Sequence, residues 1–237
     1  MMANKISLTK AISIFAIATV YFYAILFTLL PFLRKNFVFN SALYWFITGY
    51  FLFIPLLLFA VFMVKSEGNK NIKQIVLSLN ILPFSKKDWA YSIFGLLVAF
   101  ILTGIIFAIW SVLNKNFEVT PLNTTPWFME MHPFKGSDTL LLLIWFPMFL
   151  FNIVGEEILW RGYIQKRLQI KYSWIICSLL WLIFHLPFGV GLLIMLIPII
   201  LIIPYAFYKT QNTSVGIFIH GIYNGPVFIA VALGFIK

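Results

Sequence analysis

Seven stretches of this chain are apolar over nearly the length that a membrane-spanning helix requires, and that leaves few folds open. A spanning helix takes about 20 mostly apolar residues. The runs are 11–32, 42–64, 89–113, 140 to about 168, 173–188, 192–208 and 215–235. In hydrocarbon every backbone amide and carbonyl must be satisfied within the chain, so such runs form helices. The composition agrees: 62% of residues are hydrophobic and only 10% are charged, against about 25% charged in soluble domains. The expected fold is all-α, a polytopic membrane helix bundle of about seven transmembrane helices. One transmembrane domain, residues 1–237, accounts for the length.

Between the second and third runs, residues 65–88 carry Lys65, Lys70, Lys73, Lys86 and Lys87. Within them Ile72, Ile75, Val76 and Leu79 recur at helical spacing, with Lys73, Gln74, Ser78 and Asn80 as the polar complement. This pattern predicts a short amphipathic helix lying in the bilayer interface. A plain solvated loop is the alternative. The first run follows Lys5 and Lys10 but is long, and lacks a small-residue cleavage site, so it is expected to remain as an anchor. Residues 114–138 form a loop with His132 and the sequon Asn123-Thr124-Thr125. His132 has no acidic partner at helical spacing and is assigned no role.

The formal net charge is +10. In a soluble protein that suggests nucleic acid, but here the cations sit in short loops, where they set topology and face anionic lipid. No nucleic-acid partner is expected; the lipid bilayer is the partner implied. With the N-terminus inside, one side carries Lys5, Lys10, Lys65, Lys70, Lys73, Lys86, Lys87, Arg161, Lys166, Arg167, Lys171 and Lys209. The other carries Arg34, Lys35, Lys115, Lys135 and Lys237. The positive-inside rule therefore predicts a cytoplasmic N-terminus in a plasma membrane, and the short loops suggest a bacterial one. The single Cys177 lies in an apolar run, where a buried inert thiol is expected.

Against this apolar background a few polar residues stand out. Glu156, Glu157 and Arg161 end the fourth run, His185 ends the fifth, and His220 and Asn224 begin the seventh. A centred charge costs roughly 2.5–3.5 kcal/mol even by the lower estimates, so ionisable groups at this depth are functional candidates. Glu157 and Arg161 stand i, i+4 and share a helix face, while Glu156 is rotated by about 100°. Two close carboxylates in a poorly solvated site suit general acid–base chemistry. Trp181 and His185 are also i, i+4, placing a ring beside the imidazole, and Pro187 predicts a helix end just beyond. His220 and Asn224 share a face and can donate two hydrogen bonds to a developing oxyanion. Interhelical polar glue is the structural alternative for that pair.

Glu-Glu-x-x-x-Arg, aromatic-x-x-x-His and His-x-x-x-Asn, in this order on successive membrane helices, resemble the CPBP family. These are the CAAX proteases and bacteriocin-processing enzymes, related to the type II CAAX prenyl endopeptidase. The resemblance covers roughly residues 140–235 and makes 139–237 the expected catalytic core, with 1–138 as N-terminal helices and loops. It implies an intramembrane endopeptidase, opening toward the cytoplasm, that cleaves a membrane-associated or lipidated peptide or a membrane protein. Glu156 would activate water, His185 would hold it, and His220 and Asn224 would form the oxyanion hole. Glu157 and Arg161 would shape and neutralise the site. The chain departs from the family in having Trp181 where phenylalanine is usual, which is expected to affect substrate fit. The family is often called metalloprotease, and Glu156, His185 and His220 would be the ligands of a divalent metal, zinc foremost; a metal-free Glu/His water site is the other reading. A non-catalytic protein of the same fold, giving bacteriocin immunity or binding a partner, is the alternative function. A transporter is disfavoured because no repeated halves are visible.

Overall fold

The computed structural model describes residues 5–117, 122, 126–129 and 132–235. The sequon and Lys237 lie outside these residues. The described chain is helical, without strands. Six helices are long and apolar enough to cross a membrane, and a seventh, Ser173–Phe184, is apolar but shorter. This is a multi-pass membrane protein.

Helix α1 (Leu8–Asn36) starts at Ser7, whose side chain accepts from the Lys10 amide. Helix α2 (Ser41–Ser66) is capped in the same way by Asn40. Both continue through an internal proline, Pro31 and Pro55. The expected amphipathic segment is α3 (Ile72–Ser78), opened by a capping box between Asn71 and Gln74. Leu79 is buried at its end, whereas Ile72 is 80% exposed, so its apolar face is only partly covered by protein. Helix α4 (Lys86–Phe117) is longer than the apolar run suggested, and its apolar side chains mostly face outward. In water that exterior would be untenable; in lipid it is the expected surface.

A 3₁₀ turn (Gly136–Leu140) leads into α5 (Leu141–Glu157). There the hydrogen-bond pattern changes, and Ile158–Gln165 forms a π-helix. Residues 140 to about 168 were expected to continue as one helix. The wider turn is a tertiary effect: Gly155 lies against the Phe53 carbonyl and Gly162 against the Leu79 carbonyl, each too close for a Cβ. Two segments of other helices thus press on this one, and π-bulges commonly occur at functional sites. Helix α6 (Ser173–Phe184) rises only about 18 Å at 1.5 Å per residue. Pro187 stops it, and Leu186–Phe188 forms a 3₁₀ turn. The loop at 126–129 fills the space beyond, with Trp127 Nε1 donating to the Pro187 carbonyl at 2.8 Å. Helices α7 (Val190–Thr210) and α8 (Thr213–Ala232) complete the bundle.

The two ends of the bundle differ. At one, Ile6 N–H donates to the Arg167 carbonyl, Thr213 N–H to the Asn80 carbonyl, and Lys166 Nζ to the Ser78 carbonyl at 2.9 Å. This end gathers Lys5, Lys10, Lys65, Lys70, Lys73, Lys86, Lys87, Lys166, Lys171 and Lys209. At the other, Arg34 Nη2 donates to the Phe128 carbonyl and Phe134 N–H to the Ala232 carbonyl. Among described residues its cations are Arg34 and Lys35 in the last turn of α1, Lys115 in the last turn of α4, and Lys135. Two arginines counted from sequence as loop charges are in fact interior. Arg161 is 1% exposed, and Arg167 is fully buried in a pair with Glu67 at 2.7 Å. Without them the cationic bias of the first end still stands.

Candidate active site

Glu156 ends α5 and is 2% exposed. Its Oε2 accepts the Trp181 indole N–H at 2.7 Å, and its Oε1 accepts the Asn152 amide at 3.3 Å. Asn152 stands one turn earlier on the same helix, a polar residue in an apolar run that was overlooked in the sequence. The Trp181 contact joins residues 25 positions apart. Trp181 was expected only to lie beside the imidazole; here it binds the carboxylate as well. Its ring face lies 3.7 Å from Arg161 Cζ, a cation–π contact. It also meets the His185 and His220 rings edge to face, at centroid distances of 5.3 and 5.5 Å.

His185 follows the last residue of α6. Its Nδ1 lies 2.9 Å from the Trp181 carbonyl, which can only accept, so the proton resides on Nδ1. That leaves the Nε2 lone pair directed at Glu156 Oε2, 3.9 Å away. The separation is too long for a direct hydrogen bond and suits a bridging water.

Glu157 points the other way and is fully buried. Its Oε1 accepts from His220 Nδ1 at 2.9 Å, and its Oε2 pairs with Arg161 Nε at 3.3 Å. A carboxylate accepts, so the His220 proton is on Nδ1 and Nε2 is the free edge. Gly216 of α8 lies directly on Glu157 Oε2, leaving no room for a side chain. The Arg161 Nη atoms find no oxygen partner in hydrogen-bond geometry; the Trp181 face is what they meet. The two adjacent carboxylates thus have separate sets of partners, as their angular separation on the helix requires.

Glu156, His185, His220 and Asn224 all line one cavity of about 340 Å³. That is within the usual size of ligand sites, roughly 300–1,000 Å³. Its remaining walls are mostly aromatic and aliphatic, with Thr103 and Tyr223 hydrogen-bonded to each other on one side. Glu157 and Arg161 lie behind the wall. His132 is exposed and is not among the residues lining the cavity, and Cys177 is buried. For a metal, the donor set does not fit: no group of three His, Cys, Asp or Glu among the described residues is placed to hold one. The three ligands named from sequence share the cavity without converging on a point.

The cavity extends along the bundle from these polar groups. The polar groups lie nearer the basic end, nine residues before Gln165 and sixteen beyond Leu140 for Glu156. The lining extends from there to Pro126, Met129 and Val231. Toward the basic end, Trp160, Tyr163 and the Arg167–Glu67 pair fill the interior.

Residues 138–225 match the family model of type II CAAX prenyl endopeptidase Rce1-like proteins. No curated protein and no solved structure matches the chain. The matched segment includes all six polar residues singled out from the sequence. The match over residues 138–225 supports membership of the CPBP family of CAAX proteases.

Proposed function

We propose that this protein is an intramembrane endopeptidase that hydrolyses a peptide bond with water activated by Glu156 and His185. Membership of the family supports CAAX-type intramembrane protease activity in general. The observation that carries the finer reading is the pair Glu156 Oε2 and His185 Nε2, both acceptors, 3.9 Å apart at the wall of an apolar cavity. A water between them donates one proton to each and turns a lone pair toward the substrate.

In the reaction, that oxygen attacks the scissile carbonyl carbon while Glu156 takes its proton. The carbonyl π electrons move onto oxygen, giving a tetrahedral oxyanion. The Asn224 amide donates to it. His220 donates there only as an imidazolium, since its Nδ1–H is committed to Glu157. Collapse of the oxyanion breaks the C–N bond, and the proton held by Glu156 passes to the leaving amine. Trp181 and Asn152 hold the Glu156 carboxylate in place; Glu157 and Arg161 fix His220 and balance charge. The substrate is a peptide or membrane-protein segment, and the membrane a bacterial plasma membrane with the basic end in the cytoplasm.

The test uses protein purified in liposomes with a quenched peptide library, comparing wild type with Glu156→Gln, each with and without a chelator. Cleavage that is lost in Glu156→Gln and indifferent to chelator is the expected result. Equal cleavage by both proteins overturns the assignment of the base. Chelator-sensitive cleavage overturns the metal-free chemistry. Glu156→Gln that keeps an immunity function in cells, with no cleavage by either protein, favours the non-catalytic alternative.

A further inference from the structure

We propose that Tyr223, held by Thr103, is a substrate-binding residue: its hydroxyl donates a hydrogen bond to a main-chain carbonyl of the bound peptide other than the scissile one. The peptide rests on the endopeptidase reading above; the contact fixes that peptide's register in the cavity.

The first observation is what the chemistry leaves over. Glu156, His185, His220 and Asn224 line the cavity and carry the proposed reaction, and Asn152 is spent on Glu156 Oε1. Indole rings aside, two polar side chains of the lining remain without a duty, Thr103 and Tyr223.

The second observation is a count of protons. Thr103 Oγ1 and Tyr223 Oη lie 2.6 Å apart, and either can donate. The pair holds two hydroxyl protons, and that contact uses one. The pair's further contact among described residues is from Tyr223 Oη to the Met195 carbonyl at 3.5 Å. An O–H···O bond normally spans about 2.5–3.0 Å. One hydroxyl proton on the cavity wall therefore lacks a good acceptor.

The third observation is how other threonines of the bundle behave. Thr19, Thr28, Thr48 and Thr210 each donate to the carbonyl four residues back on their own helix. A hydroxyl in lipid is satisfied that way without help from another helix. Thr103 of α4 bonds across to α8 instead. The Tyr223 ring is fixed as well: it stacks on Phe100 with centroids 5.2 Å apart and is 8% exposed. A threonine and a ring thus hold one hydroxyl at one place.

That place suits a peptide. Tyr223 stands three residues after His220 and one before Asn224, so α8 supplies this hydroxyl and the proposed oxyanion donor together. A helical segment ties up its carbonyls in its own hydrogen bonds. The chain attacked by water is unwound at the scissile bond, and its neighbouring carbonyls enter the cavity stripped of water. An unpaired carbonyl in an apolar site is costly. The lining from α4 and α7 is otherwise apolar, with Phe100, Phe107, Leu192 and Leu196 among it. The Tyr223 hydroxyl supplies the donor that this wall lacks. Every peptide carries main-chain carbonyls, so the contact sets register and leaves side-chain preference to the apolar walls.

The experiment separates substrate anchoring from adhesion between α4 and α8. The probe is a dansyl-labelled decapeptide of leucine, valine and alanine, with a set in which one amide at a time becomes an (E)-alkene and so loses its carbonyl. Cleavage in liposomes is followed for wild type, Tyr223→Phe, Thr103→Val and Thr103→Ser. Binding is followed by tryptophan-to-dansyl energy transfer in Glu156→Gln, alone and combined with Tyr223→Phe. Tyr223→Phe keeps the ring on Phe100 and removes only the hydroxyl. The expected result is a rise of about 3- to 10-fold in KM and Kd, the effect of one neutral hydrogen bond, with kcat within about twofold of wild type. Thr103→Val moves the same way, and Thr103→Ser restores wild-type values. One alkene position weakens binding by the same factor when Tyr223 is present and makes no difference in Tyr223→Phe. Unchanged KM and Kd in Tyr223→Phe overturn the proposal. So does a lowered unfolding temperature with the loss confined to kcat, or a set of alkene peptides none of which is coupled to Tyr223. Failure of the decapeptide to bind any of the proteins overturns it too. Absence of cleavage in every preparation, with Tyr223-dependent binding intact, strikes the endopeptidase reading and leaves the anchor standing.

Discussion

Trp181 donates its indole N–H to Glu156 Oε2 across 2.7 Å, in an interior where both side chains are at most 2% exposed. The same ring covers the Arg161 guanidinium at 3.7 Å. One side chain therefore orients the carboxylate proposed as base and shields the cation behind it.

These two roles separate in Trp181→Phe, which keeps a ring over Arg161 and removes the N–H. A hydrogen bond to a charged group is worth about 1.5–3 kcal/mol. The expected outcome is a fall in kcat/KM of about 10- to 100-fold, carried by kcat, in a protein that remains folded. Unchanged kcat would show that the N–H does not position Glu156. Trp181→Ala is expected to lower the unfolding temperature in detergent as well.

Glu156→Gln keeps the shape and still offers an oxygen to Trp181, but gives up the ability to accept a proton from water. Hydrolysis is expected to disappear while thermal unfolding stays near wild type. Asn224→Ala should instead leave measurable turnover, because removing one oxyanion donor costs about 2.7–4 kcal/mol. Initial rates on the same peptide distinguish the two. Equal losses in both variants would place Asn224 in some role other than oxyanion donor.

Gly216 and Gly221 stand on the same helix and invite a paired test. A Cβ at Gly216 meets the Glu157 carboxylate, whereas one at Gly221 has its nearest neighbour at 4.0 Å, the Ile153 side chain. Gly216→Ala must push Glu157 off His220 and Arg161, leaving a buried charge poorly paired, a disruption of several kcal/mol. It should lower both stability and activity. Gly221→Ala should be nearly silent. Similar unfolding temperatures for the two variants would contradict the packing described.

The Arg167–Glu67 clasp makes a prediction remote from the chemistry. Arg167→Ala strands Glu67, Ser78 and two π-helix carbonyls at once, and breaking a buried pair costs about 3–5 kcal/mol. Arg167→Lys keeps the charge but loses the fork geometry, so it is expected to recover only part of the stability. Unfolding in detergent, followed by helix content, reads both. Full recovery by lysine would mean that charge alone holds the clasp.

The helical bundle was legible in the sequence because long apolar runs in lipid leave the backbone no alternative. The local pairs were legible for a related reason: one helical turn brings i and i+4 together wherever the helix sits. Glu157 with Arg161 followed from spacing, and so did the rotation that sends Glu156 elsewhere. What Glu156 meets did not follow. Trp181 is 25 residues away and His220 is 63 from its partner Glu157, and only the crossing of α5, α6 and α8 brings them together. Arg167 illustrates the same limit. Its charge looked like a topology signal, because nothing in local spacing points to Glu67, 100 residues earlier. The π-helix is likewise imposed from outside, by backbone carbonyls of other segments pressing on Gly155 and Gly162. Hydropathy and loop charge set which helices cross the bilayer and which end is basic. How the polar residues of α5, α6 and α8 share one cavity was decided by the crossing of those helices, and packing of that kind depends on contacts far apart in the chain.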